Sequence, residues 1–448
     1  MMGKLDGQDR LFYEFRLNDH VPADHLLRRI DTVLDFGFVR EHLASSYSAM
    51  GRPSIDPELM MRMLLVGYLF GIRSERRLCE EVHLNLAYRW YCRLDLDGRV
   101  PDHSTFSKNR YGRFRDGELH RLLFDEVVRR CVEAGLVIGH DTAVDASMVE
   151  ADANYEHKLP GSEAPDTLRG QYRSSRAVRE YLAALDAALP TPPDEPEPST
   201  PKHVSPIDPQ SAWSSKHGRA RFAYATNSMI DTETGCILDV EASPARFAAE
   251  VATTRVMVER VGQRLGITPK RIAADKAYGS GLLLAWLFDR EIVPHIPVID
   301  RQRQVPGIFS RDDFTYDPQN DSFTCPGGRS LTYRGDDRAH RVHFYRPKGS
   351  DCKACPVREQ CTTGTRRTLT RSFDQEARDR AQALAQTDDY ARSRRLRRRI
   401  ERLFGHLKRT MGIRRLKLKG LSGAAEEFLM AASAQNLRLL TRPASMTG

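Results

Sequence analysis

Three acidic residues, Asp145, Asp275 and Glu401, are candidates for holding a metal ion. Asp145 lies in LVIGHDTAVDASMVEADAN, residues 136–154. Val137, Ile138, Ala143 and Val144 predict a buried strand there. Asp141, Ala143, Asp145 and Ser147 share one of its faces by the two-residue period. An aspartate on such a strand needs a compensating cation, so a metal ligand at a sheet edge is one reading. An aspartate capping the turn at the strand end is the other. Asp145, later and beside polar residues, is a better ligand candidate than Asp141. Asp275 ends a short predicted strand, RIAAD, which runs into a Gly-Ser turn ahead of the helix GLLLAWLFDR. Sheets of α/β proteins gather ligands at such strand ends. A cap on that helix is the plainer explanation. Lys276, next to it, can touch a substrate phosphate.

The third acid is Glu401. RRRIERLFGHLKRT, 397–410, reads as one amphipathic helix. Leu396, Ile400, Leu403 and Leu407 recur at i, i+4, i+7 and i+11 and make a buried stripe. Arg397, Glu401 and Lys408 project from a neighbouring face. Arg392, Arg394, Arg395, Arg398, Arg399, Arg402 and Arg409 surround the lone acid with positive charge. Glu401 can hold a metal ion while its neighbours hold a polyanion. Taken by itself, the helix is better explained by a solvated basic surface with an ordinary i,i+4 Arg–Glu pair.

The elements that must position these residues follow from the whole chain. Its 448 residues suffice for two or three domains, and 40% hydrophobic with 29% charged residues describes a soluble globular protein. With no apolar run long enough for a bilayer and a polar start, MMGKLDGQDR, the expectation is a cytoplasmic, nucleoid-associated protein without a membrane partner. A net charge of +9 and a pI of about 9.1 favour a polyanionic partner, most simply nucleic acid.

Residues 1–135 read as a helical N-terminal domain. Asp56 with Pro57, then Ser74 and Ser104, are expected caps, and Gly71 a stop. The helix after Ser104 offers Lys108, Asn109, Arg110 and Arg113. A helix-turn-helix reader of DNA ends and a plain packing bundle fit this region equally. Residues 160–215, with PTPPDEPEPSTPKHVSPIDPQ, are too rich in Pro, Ser and acid to build a core and read as a mobile insertion, including the short helix SSRAVREYLAALDAAL. ARFAYATNSMID and GCILDVEASPA predict a β-hairpin. A helix over about 248–265 follows, and VPHIPVI supplies a last strand.

Of eight cysteines, Cys79, Cys92, Cys131 and Cys236 read as core thiols. Cys325, Cys352, Cys355 and Cys361 fall together in a second insertion, 301–385. One CxxC and two further cysteines among turn residues allow a structural zinc site, with His340 and His343 as alternative ligands. Reduced, unmetallated thiols are the competing reading.

Taken together, Asp145, Asp275 and Glu401 resemble the acid triad of the DDE transposases of bacterial insertion sequences. GRPSIDPELMMRMLLVGYLFGIRSERRL and PDHSTFSKNR resemble that family's N-terminal region. VDASMVEADAN is similar to its first-aspartate segment and ADKAYGS to its second. Its signature of Tyr, Arg, Glu and Lys is met by Arg397, Glu401 and Lys408, with Arg394 where the family has Tyr. The resemblance implies an α/β, RNase H-like mixed sheet flanked by helices. It implies metal-dependent cleavage at insertion-sequence ends and strand transfer into target DNA. The acids would hold two magnesium or manganese ions. Arg397, Lys408, Lys276 and Arg394 would hold DNA phosphate.

The expected organisation is thus a helical domain, 1–135; a catalytic core begun by 136–300; the cysteine insertion, 301–385; and the end of the core with the Glu401 helix, 386–442. DNA ends and target are the expected partners, with a homodimer in the synaptic complex. Two rival readings remain at this point: an endonuclease without strand transfer, and a non-catalytic DNA-binding descendant of a transposase.

Overall fold

The computed structural model describes residues 15–47, 50, 54–115, 118–163, 201–214, 220–245, 247–298, 307–338 and 341–442. Most of the Pro-rich stretch, the short helix expected within it, and His340 lie outside the described residues. The chain divides into two units: residues 1–136, 405–418 and 422–448, and residues 137–404 with 419–421.

The first unit is helical. Short helices α1 (Leu17–His20), α2 (Leu26–Val33) and α3 (Gly37–Leu43) precede α4 (Pro57–Leu69), α5 (Glu75–Leu84), α6 (Leu86–Tyr91), α7 (His103–Tyr111) and α8 (Glu118–Glu133). Asp56 caps α4 by accepting from the Glu58 and Leu59 amides, and Ser74 caps α5 through the Arg77 amide. Helix α4 is buried on nearly every side, with Met60, Met61, Met63, Leu64, Leu65 and Val66 inside. That explains its continuous apolar run. Helix α7 begins two residues earlier than the sequence suggests, because Asp102, not Ser104, is its cap and accepts from the Ser104 amide. An ionised carboxylate accepts more strongly than a hydroxyl.

Two residues that a helix-turn-helix reading would turn towards DNA are spent inside this unit. Arg110 is buried and pairs with Glu75 at 3.0 Å and Glu426 at 2.8 Å. The Asn109 amide donates to Thr105 O, and its Oδ1 accepts from Arg113. These contacts support the packing bundle.

The second unit is built on a mixed sheet of β1 (Asp141–Glu150), β4 (Ala212–Ser214), β5 (Arg221–Asp231), β6 (Ile237–Pro244), β7 (Arg271–Ala273) and β8 (Val293–His295), which is six-stranded among the described residues. A two-stranded ribbon, β2 (Leu159–Pro160) with β3 (His203–Val204), stands apart from it. Strand β1 is central. It pairs antiparallel with β5 on one side and parallel with β7 on the other, and β8 extends the parallel side. Strands β5 and β6 form the expected hairpin. Helices α9 (Phe247–Leu265) and α10 (Gly281–Phe288) close one face. There Val144, Met229 and Leu238 pack with Met257, Val261 and Leu287. Since side chains alternate along a strand, Asp145 faces the other side from Val144.

Residues 201–214 differ from the expected insertion. Strand β4 pairs with β5 at the sheet's edge. Asp208, buried, accepts from the Tyr224 hydroxyl at 2.6 Å and from the Gly420 amide, while Gln210 accepts from the Leu421 amide. The Pro-rich composition next door concealed a strand and a helix cap. Beyond β8 comes an antiparallel meander of β9 (Thr315–Asp317), β10 (Ser322–Thr324), β11 (Ser330–Asp337), β12 (Val342–Arg346) and β13 (Leu369–Ser372), with α11 (Gly349–Lys353) and α12 (Arg358–Cys361) before its last strand. Its small core is Phe314, Phe323, Leu331, Tyr345 and Leu369. Helices α13 (Gln375–Leu384), α14 (Asp388–Leu396), α15 (Arg398–Arg409) and α16 (Gly420–Leu440) complete the chain. The single amphipathic helix expected through Leu396 is broken at Arg397. Its stripe is carried by α15, where Ile400, Leu403, Phe404 and Leu407 are buried.

Candidate active site

Asp145 sits in the middle of β1, opposite Ser228 of β5. Its Oδ1 accepts from the Ala146 amide at 2.8 Å. Asp275 is separated from β7 by one residue, and its Oδ1 accepts from the Ala277 amide at 2.8 Å, capping a short 3-10 turn rather than the α10 helix. Ser280 caps α10. Glu401 lies in the first turn of α15.

Arg397 ties two of these acids together. Its Nη1 donates to Asp145 Oδ2 at 2.9 Å and its Nη2 to Glu401 Oε1 at 2.8 Å. The planar guanidinium suits two carboxylates at once. The Arg397 and Asp145 side chains are 14% and 16% exposed and Glu401 is 54% exposed, so the fork is sheltered at its sheet end and open at its helix end. Asp145 is pushed above the usual aspartate range. Burial is the first cause. The Ala146 amide and the Arg397 charge pull it down, and the negative charges of Asp275 and Glu401 push it up. The three acids therefore share one electrostatic neighbourhood, although they come from a strand, a strand end and a late helix. As they stand, no three His, Cys, Asp or Glu side chains among the described residues are grouped closely enough to hold a metal ion.

The segment carrying Arg397 is pinned to the sheet at several points. His295, at the end of β8, hydrogen-bonds through Nδ1 to Ser393 Oγ at 2.7 Å and packs against the ring of Tyr390. Arg399 donates to Thr232 O at 2.6 Å, and Arg392 pairs with Glu233 in the β5–β6 turn. Sequence reasoning missed His295, Ser393 and Tyr390, because nothing local marks a contact between β8 and a helix nearly a hundred residues on. Asp141, the weaker of the two candidates on β1, pairs with Arg271, which also reaches Asp389 at 3.1 Å.

Of the remaining basic candidates, Lys276 is exposed beside Asp275, and Arg394 is half-buried in the last turn of α14. Lys408 is on the Glu401 helix about two turns further on, in the part of α15 that groups with the helical unit. Burial holds its ammonium below the usual lysine range. Cys325, Cys352, Cys355 and Cys361 line one cavity of the second unit. Cys361 is pushed up, by burial first; nearby Arg367 pulls it down and the other three sulfurs add to the rise.

Two family models match the sequence. The Transposase domain (DUF772) covers residues 15–111, and the Transposase DDE domain covers residues 324–441. The second match takes in Arg394, Arg397, Glu401, Lys408 and the four clustered cysteines. Asp145 and Asp275 lie outside both. The chain is thus a transposase. The two matches are consistent with a DDE transposase of the insertion-sequence type. A cryo-EM structure of the piggyBac transposase synaptic complex with hairpin DNA aligns with 95% of this chain and 81% of its own, at 10% identity and a TM-score of 0.32.

Proposed function

We propose that this transposase cuts DNA at the ends of its insertion sequence and joins them to target DNA by in-line displacement at phosphorus, with Asp145, Asp275 and Glu401 as its catalytic carboxylates. The observation that carries this reading is the Arg397 fork, which binds Asp145 and Glu401 while Asp275 is felt at Asp145. The strand order supports an RNase H-like core: β1 at the centre, antiparallel strands on one side, parallel strands on the other, and acids on β1, after β7 and on a late helix.

The donor set fits hard divalent cations such as magnesium or manganese, two of which the three carboxylates would hold. The guanidinium now between two of the acids supports a site that accepts positive charge. Bound ions would activate the attacking water or 3′-hydroxyl and stabilise the leaving oxygen. The residues themselves do the positioning. The Ala277 amide fixes one oxygen of Asp275 and leaves Oδ2 outside that bond. The Ala146 amide does the same for Asp145. Arg397, Lys276 and Arg394, with Lys408 further along the helix, hold backbone phosphates. Element ends and target DNA are the partners. Bringing two ends together calls for a homodimer, working at the nucleoid in the cytoplasm. Cys325, Cys352, Cys355 and Cys361 are not grouped closely enough to hold a metal as they stand, but they line one cavity and would draw together on one structural zinc ion; the other three sulfurs add to the charge felt at Cys361.

The test is cleavage and joining of a labelled duplex carrying the element's end, with magnesium, by the wild type and by Glu401→Gln. This variant keeps the side-chain volume and loses the charge. It is expected to abolish cleavage without reducing DNA affinity, because the change removes a negative charge from a basic face. Normal cleavage by the variant would end the assignment.

A further inference from the structure

Arg397 makes its two carboxylate contacts from the single-residue turn between α14 and α15. Its amide donates to Ser393 O at the end of α14, and its carbonyl accepts from the Ile400 amide in the first turn of α15. Both contacts lie in the side chain alone, so they can be released without unwinding either helix. They occupy Asp145 Oδ2 and Glu401 Oε1, two of the oxygens a divalent ion would need. The fork is a single positive charge spread over a plane, well matched in shape to a carboxylate and equally to a phosphodiester.

We propose that Arg397 is the stand-in cation of the DNA-free site and that DNA binding and metal loading are coupled through it. This rests on the reading of Asp145, Asp275 and Glu401 as catalytic carboxylates. Without DNA, the guanidinium neutralises two of the acids and competes with divalent ions for them. An arriving phosphodiester offers it an anionic partner of the same bidentate geometry. Once the fork turns to phosphate, Asp145 and Glu401 carry unbalanced negative charge beside Asp275 and draw metal. Linkage makes the effect reciprocal: DNA tightens metal, and metal tightens DNA. Arg397 is then a positioning residue whose two partners alternate.

The experiment is binding of manganese ion alone, followed through the paramagnetic signal of the free ion, to the full-length protein with and without a duplex carrying the element's end. Wild type is expected to bind manganese about tenfold more tightly with DNA than without. Arg397→Gln is expected to bind it tightly already without DNA and to lose most of that coupling. Arg397→Lys, which keeps the charge but cannot fork, falls between. Melting temperature supplies a second readout. The Gln variant melts lower than wild type in chelator, from repulsion of the bared acids, and gains more from added manganese. Unchanged or weaker manganese binding by Arg397→Gln in the absence of DNA overturns the inference. Asp145→Asn and Glu401→Gln separate the two levels. If they abolish manganese binding while Arg397→Gln fails to tighten it, only the stand-in role falls. If neither affects manganese, the carboxylate reading falls and takes this inference with it.

Discussion

Asp145 is the residue at which the conflict between folding and chemistry is sharpest. A carboxylate in the middle of a strand loses water, and its nearest charges include two further acids. Arg397 answers this only in part, since Asp145 still holds its proton above the ordinary value of 3.8. A group whose folded pKa is raised contributes stability that is complete below the unfolded pKa and lost as pH climbs through the folded one. Asp145→Asn should therefore melt higher than wild type in the neutral range. The difference should shrink as pH falls back towards the ordinary aspartate value. Thermal melts across that window measure it, and an Asn variant less stable at every pH would contradict the account. At this scale the sequence was informative about residue types and silent about partners. The Arg397–Glu401 pair is visible as an i,i+4 spacing. The bond from the same guanidinium to Asp145 crosses 252 positions and leaves no local trace.

Elements were legible where a cap or a period is local. Asp56, Ser74 and Ser280 cap helices because each side chain reaches its own next turn. Reading failed where a distant group decides. Arg110 looks like a DNA contact until Glu426, 316 positions away, is found beside it, and Asp208 looks like part of a linker until it caps α16. The cysteine meander also gathers residues distant in sequence, since Cys325 lines one cavity with Cys352, Cys355 and Cys361. Its apolar core is small, so a metal would add cross-linking that the side chains alone supply weakly. Gly327 stands where an added Cβ would come within 3.2 Å of Cys355 Sγ and 3.7 Å of Cys325 Sγ, so even a methyl group would crowd the thiols. Purified protein should contain close to one zinc per chain, and Gly327→Ala should lower that content. Metal analysis near zero would remove the zinc.

At the scale of the whole molecule, the division differs from the one the sequence suggested. The stretch after Phe404, apart from residues 419–421, groups with the helical N-terminal unit rather than with the sheet. Its anchors are internal to that unit: Glu427 pairs with Arg73 and accepts from the Lys417 and Leu418 amides, and Arg110 holds Glu426. No composition shift marks that boundary, because it falls inside a regular amphipathic helix.

The run between α15 and α16 shows how positive charge is displayed. Met411, Ile413, Leu416 and Leu418 are buried, while Arg414, Arg415, Lys417 and Lys419 are exposed. Apolar side chains fix the backbone and turn Arg414, Lys417 and Lys419 outward, an arrangement suited to a polyanion track. Duplex DNA releases condensed counterions for each phosphate a protein neutralises, so log affinity falls against log salt with a slope near −0.9 per contact. Replacing Arg414 and Lys417 by Ala should remove two such contacts and leave the buried positions intact. The variant should bind DNA more weakly at low salt, and its salt slope should be shallower by about 1.8. Since backbone contacts carry little sequence information, the loss should be alike for element-end and unrelated duplexes. Fluorescence anisotropy over a salt series reads both quantities. An unchanged slope with a weaker affinity would mean that these cations support the fold rather than touch DNA.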